Sequence, residues 1–150
     1  MKTLQNYAYL LVMVLFLVNC KTASEPDPTP VNAPKPQLIA GTLNKSWLVT
    51  SIKLDGVEVI NQTKPCAKDD LLVFSADKTY ERNEGATKCQ TKDAQVYEKG
   101  TWELATNDTE LILNKTARFK LLEITGSTLR YSVVSVFGET RELTLQAQSN

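Results

Sequence analysis

Histidine is absent from the 150 residues of this chain. Nucleophilic systems that pair serine or cysteine with histidine are therefore excluded within it, because each needs an imidazole as general base. Zinc sites built on imidazole nitrogen are excluded for the same reason. The commonest catalytic and metal-binding arrangements are thus removed before any pattern in the sequence is considered.

An excess of charge of either sign is also lacking. The 17 lysine and arginine residues balance the 17 aspartate and glutamate residues, so the formal net charge is zero. No run of lysine and arginine forms a basic stripe of the kind that binds a phosphate backbone. We therefore expect no nucleic-acid partner.

Carboxylates are the groups left for acid–base chemistry, and the nearest candidates are Asp69 with Asp70 and Glu81 with Glu84. Adjacent residues of a strand point to opposite faces, so Asp69 and Asp70 are poorly arranged as a catalytic pair. All four are typical of solvated loops and turns, and neither a calcium-binding loop nor a glycine-rich phosphate loop is present. We expect no catalytic residue, no metal and no cofactor, and hence no enzyme.

Long apolar runs are lacking except for one short stretch near the N-terminus, Tyr7 to Val18. It is only about a dozen residues long, whereas a bilayer-spanning helix needs roughly 20. This length is typical of the apolar region of a signal peptide. The stretch ends in Leu17-Val18-Asn19-Cys20, which resembles the lipobox of bacterial lipoproteins. The alternatives are an ordinary secreted protein with an incidental cysteine, or an uncleaved anchor.

The lipobox resemblance implies cleavage before Cys20 and acyl chains on its thiol and on the new amino terminus. Two or more such chains hold a protein stably on a membrane. The next residue is Lys21 rather than the aspartate that retains lipoproteins in the inner membrane. The resemblance therefore implies a protein anchored in the cell envelope at the outer membrane, with its periplasmic and surface faces both open as alternatives.

Proline is concentrated in one place: residues 21–37 hold five of the six prolines. Such a segment cannot bury a core, and alternating prolines favour an extended, semi-rigid spacer that could reach roughly 50 Å. A recognition motif is the alternative. We divide the chain into a signal peptide at 1–19, a lipidated cysteine with its tether at 20–37, and one domain at 38–150.

The domain sequence alternates apolar and polar residues and is interrupted by turn residues, which is typical of strands and hairpins. In the first strand, Trp47, Val49, Ser51 and Lys53 are expected on one face, and Leu48, Thr50, Ile52 and Leu54 on the other. A helical period is lacking except for one turn within 37–43. The predicted strands are 47–54, 57–60, 71–74, 79–84, 96–104, 110–113, 118–124, 128–136 and 140–145.

A meander of eight or nine strands must protect its two edges, and closure into a barrel does so completely. We therefore predict an all-β fold, an antiparallel up-and-down barrel of about eight strands. A barrel of this size is filled by side chains or holds one small ligand. A two-sheet sandwich is the alternative, although it more often uses long Greek-key connections.

The domain contains a set of short motifs: Leu43-x-x-x-Trp47, Asp55-Gly56, Cys66 with Asp69-Asp70 before Leu71-x-x-Phe74, Asp77-x-Thr79-Tyr80, Cys89, and Gly100-x-Trp102-x-Leu104. Together they resemble the lipocalin-like domains found on bacterial lipoproteins. Lys45 stands where such domains usually have glycine. The resemblance implies a lipocalin-like barrel and a hydrophobic ligand, but no particular ligand.

Only three cysteines are present, and lipidation of Cys20 would leave Cys66 and Cys89 as a pair. Disulfides persist in an exported protein. The two residues lie in loops before the third strand and after the fourth, which meet at one end of a hairpin. We predict a structural disulfide that joins the loops 61–70 and 85–95. A redox or metal-binding thiol pair is the alternative.

Aromatic residues make up 7% of the chain. Trp47 and Trp102 are expected to plug one end of the barrel, and with Tyr97 and Tyr131 they are the candidate ligand contacts. Both faces of the strand 128–136 are mostly apolar, so we expect both to be covered.

Two functions remain open. The first is a module that binds a small apolar or amphipathic ligand in the barrel. The second is a protein-interaction module with a filled barrel, either an inhibitor of an exported enzyme or an accessory subunit of an envelope complex. The lumen of the barrel discriminates between them. An open apolar lumen favours a ligand, and a lumen closed by aromatic and leucine side chains favours a protein partner.

Overall fold

The structure of the protein, a computed structural model, describes residues 33–105 and 107–149. The predicted signal peptide, Cys20 and most of the predicted tether lie outside the described residues. Within those ranges, no helix has the length and apolar character needed to cross a bilayer. The elements are the helix α1 (Lys35–Ala40) and the strands β1 (Asn44–Leu54), β2 (Val57–Glu58), β3 (Leu71–Ser75), β4 (Thr79–Asn83), β5 (Val96–Leu104), β6 (Glu110–Leu113), β7 (Ala117–Ile124), β8 (Thr128–Val134) and β9 (Thr140–Ala147).

The strands form one antiparallel sheet that closes on itself. From β3 onward each strand pairs with the next, β1 pairs with β3, and β9 returns to pair with β1 from Trp47 to Leu54. The short β2 pairs with the last two residues of β1 and stays outside the closed ring. The predicted all-β fold and barrel of eight strands are therefore confirmed, and no two-sheet sandwich forms.

Alternation along the strands directs one face of each into a common core. Trp47, Phe74 and Trp102 lie there with almost no exposed surface, and the rings of Phe74 and Trp102 meet edge to face at 5.5 Å. Such aromatic burial is a large share of the apolar area that stabilises a domain of this size. The other buried members of the cluster are Ile39, Ala40, Leu72, Tyr80, Leu111, Leu113, Leu129, Tyr131 and Leu145.

Helix α1 closes one end of the barrel. Ile39 is fully buried, and its carbonyl accepts a hydrogen bond of 2.8 Å from Trp47 Nε1. Lys45, at the position where glycine was the expectation, donates from its ammonium to the carbonyls of Leu38, at 3.0 Å, and of Gly126. The prediction that Trp47 plugs one end is therefore confirmed, and α1 straddles position 38, where the domain was expected to begin.

The opposite end carries the longer connections, and we call it the mouth. It is formed by residues 55–70, 84–95, 114–116 and 135–139, which join successive strands on that side. Cys66 and Cys89 form a disulfide there, with Cα atoms 5.1 Å apart. The predicted bridge between the two loops is confirmed.

Two predictions about the strands are wrong. β8 ends at Val134 rather than at residue 136, because residues 135–139 form a turn in which Gly138 N–H donates to the Ser135 carbonyl. Its outer face is not covered, since Val134 is 63% exposed. Leu129 and Tyr131 mark the inward face. The alternating apolar pattern of the sequence did not distinguish these two faces.

Candidate functional site

A groove at the mouth lies between β1, β9 and the short 3-10 turn at Ile60–Gln62. Its volume is about 280 Å³, and it contains both apolar and charged side chains. Its lining residues are Ile52, Leu54, Val59, Gln62, Thr63, Glu139 and Arg141.

A β-bulge explains why Ile52 and Leu54 reach this groove. Val49 pairs with Leu145 but Ser51 pairs with Thr144, so β1 contains one extra residue at that point. The extra residue shifts by one position the alternation of side chains between the two faces of β1. As a result, Ile52 and Leu54 face the core side of the sheet. The predicted face assignment was therefore wrong for Ile52 and Leu54, which share the inward side with Val49 rather than with Thr50.

Arg141 occupies an inward register position on β9. It follows Leu145 and Leu143 along the same face of the strand, and its cross-strand neighbours are Leu54 and Val133. The ion pairs of the described residues do not include Arg141. The groove thus combines aliphatic side chains with a guanidinium whose five donors have no hydrogen-bond or ion-pair partner among the described residues.

A polar cluster faces the interior on the other side of the mouth. Arg82 pairs across the sheet with Glu98, and Arg82 Nε lies 3.2 Å from Glu98 Oε2. The hydroxyl of Tyr80 donates to the same carboxylate and accepts a hydrogen bond of 3.0 Å from Asn114 Nδ2. Burial, and then the bond to Glu98, raise the pKa of Tyr80. The cluster ties β4 and β5 to the turn after β6.

Tyr97 and Asp70 extend this cluster to the rim. A second bulge lies at Tyr97, because Val96 pairs with Asn83 and Glu98 with Arg82. The Tyr97 hydroxyl donates to Asp70 Oδ2 at 3.0 Å. Burial and this carboxylate raise the pKa of Tyr97 to about 12, and burial also raises the pKa of Asp70.

Two polar atoms of the cluster are buried without a hydrogen-bond partner in the described residues, Asp70 Oδ1 and Arg82 Nε. The Arg82 Nε–H is close to Glu98 yet does not have the direction of a hydrogen bond to it. Buried polar atoms without a partner are uncommon in native proteins, and strain, a bound water or a bound ion can explain them. The interior of the mouth is therefore polar on the side of β4 and β5, and mainly apolar on the side of β1 and β9.

Tyr131 lies between these two sides. Its ring packs edge to face on Phe119 at 5.2 Å, and its cross-strand neighbours are Leu121 and Leu143. Burial raises the pKa of Tyr131, whereas the positive charges of Arg82 and Arg141 act in the opposite direction. The charges of both guanidinium groups therefore affect the pKa of the Tyr131 hydroxyl.

The four predicted ligand contacts do not come together in one place. Trp47 and Trp102 lie in the closed half, where each indole N–H donates to a backbone carbonyl. Tyr97 stands at the rim, and Tyr131 lies below the groove. Their contact with a ligand stays a prediction. Sequence reasoning missed Ile52 and Leu54 because of the bulge, although the spacing of Arg141, Leu143 and Leu145 could have indicated an inward arginine.

The disulfide-linked loops are fixed at the mouth by Asp69. Its carboxylate accepts hydrogen bonds from the backbone of Ala86, at 2.9 Å, and of Thr87, at 2.8 Å. It also accepts a hydrogen bond of 2.7 Å from the Thr87 hydroxyl. That bond is the main cause of the lowered pKa of Asp69, and the backbone bonds add to it. Asp69 and Asp70 thus have separate structural partners. In the described part of the chain, no group of three or more His, Cys, Asp or Glu side chains could hold a metal ion.

A second groove, of about 420 Å³, lies along β3, β4 and β5. Val73, Ser75, Thr79, Glu81 and Lys99 alternate with the inward-facing residues of those strands, so this groove is on the outer wall. Its lining shares no residue with that of the groove at the mouth.

A family model of the lipocalin-like domain matches residues 43–131. The chain belongs to this family. The match begins just before β1 and ends within β8, so it covers the barrel up to Tyr131 and leaves out the end of β8 and all of β9. A barrel of this family fits ligand binding in general, and folds of this kind are typically non-enzymatic. No curated protein matches the chain.

Proposed function

We propose that this lipocalin-like domain binds a small apolar or amphipathic ligand at the mouth of its barrel, without catalysing a reaction. The observation that carries the proposal is the mouth groove, in which Ile52, Leu54 and Val59 offer apolar surface beside polar groups. Ligand sites are typically concave and apolar, with a few polar groups that orient the ligand. The volume of about 280 Å³ suits a small molecule or one end of a larger one.

The packing of the barrel limits how deep a ligand can lie. Trp47, Phe74 and Trp102 fill the half of the interior next to α1, so the space for a ligand is at the opposite end. The disulfide and Asp69 fix the nearby loops, which reduces the entropy lost when a ligand binds. We therefore place the ligand at the entrance rather than in a deep lumen.

Extraction of the full-length protein from its own host, followed by native mass spectrometry, tests this proposal. We expect a co-purifying small molecule that is depleted in Leu54→Gln, which makes the groove polar. The matched control is Leu122→Gln, because Leu122 is partly exposed on the outer face of β7. Repeated isolation of an empty protein, or equal occupancy in both variants, would contradict the proposal.

A protein-interaction role is the second candidate, and one observation favours it. Val136 and Phe137 form the tip of the β8–β9 turn and are each 95% exposed. Exposed apolar side chains at one tip are typical of a contact surface. Under this proposal the turn contacts an envelope protein, such as an exported enzyme or a larger complex. Loss of a crosslinked partner in Phe137→Ser, with the groove ligand retained, would favour it.

We also propose that the protein is held at the outer membrane by lipid on Cys20. The lipobox resemblance and the proline-rich segment support this proposal, and both precede the described barrel. Cys20→Ser should move the protein from the membrane pellet to the soluble fraction after cell lysis. An unchanged partition between the two fractions would refute lipidation.

A further inference from the structure

Arg141 is the charged feature of the mouth that binding of an apolar ligand does not explain. It lies in register with Leu54 and Val133, on the inward side of β9. A guanidinium keeps its charge at any pH of physiological interest. Arg141 is exposed near the start of β9 and lines the groove, so a ligand in the groove can reach its guanidinium.

Among the described residues, the other arginines of the barrel have acidic partners and Arg141 does not. Arg130 donates to Glu123 at 3.1 Å and to Glu142 at 2.7 Å, on the outer face. Arg82 lies against Glu98. Within 33–105 and 107–149, Arg141 has neither an ion pair nor a hydrogen bond through its side chain. Its planar set of donors matches the geometry of a carboxylate or a phosphate.

Arg82 and Arg141 both act on the buried hydroxyl of Tyr131. Burial raises the pKa of Tyr131, the positive charges of the two arginines lower it, and the charge of Glu98 raises it. Glu139 also lines the groove and precedes the first residue of β9. Glu139 and Arg141 are both exposed at the rim, and the ion pairs of the described residues do not join them.

We propose that the groove binds an amphipathic ligand through an acidic head group, with Arg141 as the contact for that group. Ile52, Leu54 and Val59 cover the adjoining apolar chain of the ligand. This inference rests on the proposed function, since it names the chemical class of the ligand. The shared chemistry is a single-chain carboxylate or phosphate.

The test compares three probes with the same apolar chain: octanoate, octanol and octyltrimethylammonium. The protein is residues 20–150 with Cys20→Ser, which keeps every described residue, and binding is measured by isothermal titration calorimetry. We expect octanoate to bind about tenfold more tightly than octanol, because a charge-assisted hydrogen bond is worth roughly that factor. Acetate, which lacks the chain, should not bind measurably.

Two substitutions assign the effect to Arg141. Arg141→Gln should weaken octanoate about tenfold and leave octanol unchanged, and Arg141→Lys should restore part of the loss. The control is Lys53→Gln, which removes the same charge from the neighbouring outward position of β1. Circular dichroism of each variant verifies that the barrel is folded.

The outcomes separate this inference from the proposed function. Equal affinity for octanoate and octanol, tighter binding of octyltrimethylammonium, or an unchanged octanoate affinity in Arg141→Gln would overturn the acidic head group but leave a ligand site. Absence of binding by all three probes would overturn both.

Discussion

At the scale of single residues, the mouth contains ionisable side chains that are partly buried. Asp70 accepts a hydrogen bond from Tyr97, yet its other oxygen is buried and has no hydrogen-bond partner in the described part of the chain. Burial raises the pKa of both side chains, so the folded protein favours their protonated forms. The two groups therefore make stability depend on pH in two separate ranges.

Tyr97 governs the alkaline range. Its pKa is raised to about 12 in the folded protein, against about 10 in an unfolded chain. The stability that it contributes is fully present below pH ~10 and is lost as the pH rises toward 12. We predict that the melting temperature falls more steeply over this range in the wild type than in Tyr97→Phe. An equal fall of the melting temperature between pH ~10 and 12 in the two proteins would contradict this.

Asp70 governs the acidic range. Its folded pKa is also raised, so its stabilising contribution is present at low pH and is lost as the pH rises through that pKa. Asp70→Asn cannot ionise and keeps an acceptor for Tyr97. We expect a melting temperature above that of the wild type at pH 7, with the difference shrinking at pH 3. A difference that is constant with pH would show that ionisation is not the cause.

Gly100 is a residue whose lack of a side chain is required by its neighbours. A Cβ at this position would lie 2.0 Å from Asn114 Oδ1 and 2.7 Å from Tyr80 Cε1. We predict that Gly100→Ala lowers the free energy of unfolding by about 1–3 kcal/mol, the range for overpacking. The loss should be smaller in an Asn114→Gly background, where one clash is absent. Urea denaturation of the wild type, Gly100→Ala, Asn114→Gly and the double variant measures the free energy of unfolding of each.

At the scale of elements, α1 and the bulge in β1 decide which end of the barrel is closed. The helix seals one end because Ile39 and Ala40 are buried in the core at that end. The bulge turns Ile52 and Leu54 inward at the other end. The sequence predicted one helical turn within 37–43, which overlaps α1. It could not predict the bulge, because the extra residue depends on how β1 pairs with β9.

The contribution of α1 can be measured with one substitution. Ile39→Ala should reduce the free energy of unfolding by about 2–4 kcal/mol, because it leaves a cavity at a fully buried site. Gln37→Ala is the control, since Gln37 is exposed on the same helix. Equal stability of the two variants in chemical denaturation would mean that the helix does not seal the barrel.

The disulfide fixes two loops that differ from the regular strands around them. It closes a loop with a sequence separation of 23 residues. In the chain-entropy treatment its removal should cost about 3 kcal/mol. We expect Cys66→Ser with Cys89→Ser to melt well below the wild type under oxidising conditions. With a reductant present, the two proteins should melt together, and a persisting difference would indicate damage unrelated to the bridge.

At the scale of the whole molecule, closure of the barrel followed from the sequence more directly than the site did. Short hairpins and the need to protect sheet edges predicted an eight-strand barrel, and the tryptophans were correctly predicted at one end. The site was harder to predict because it depends on register. Arg141 and Leu54 are distant in sequence and meet only when β9 pairs with β1.

The position of the ligand site is tested most directly by nuclear magnetic resonance. Octanoate would be titrated into labelled residues 20–150 carrying Cys20→Ser, and amide shifts followed residue by residue. We predict that the largest changes cluster at Ile52, Leu54, Val59 and Arg141. Changes confined to the outer groove near Val73 and Lys99, or no saturable change anywhere, would contradict a ligand site at the mouth of the barrel.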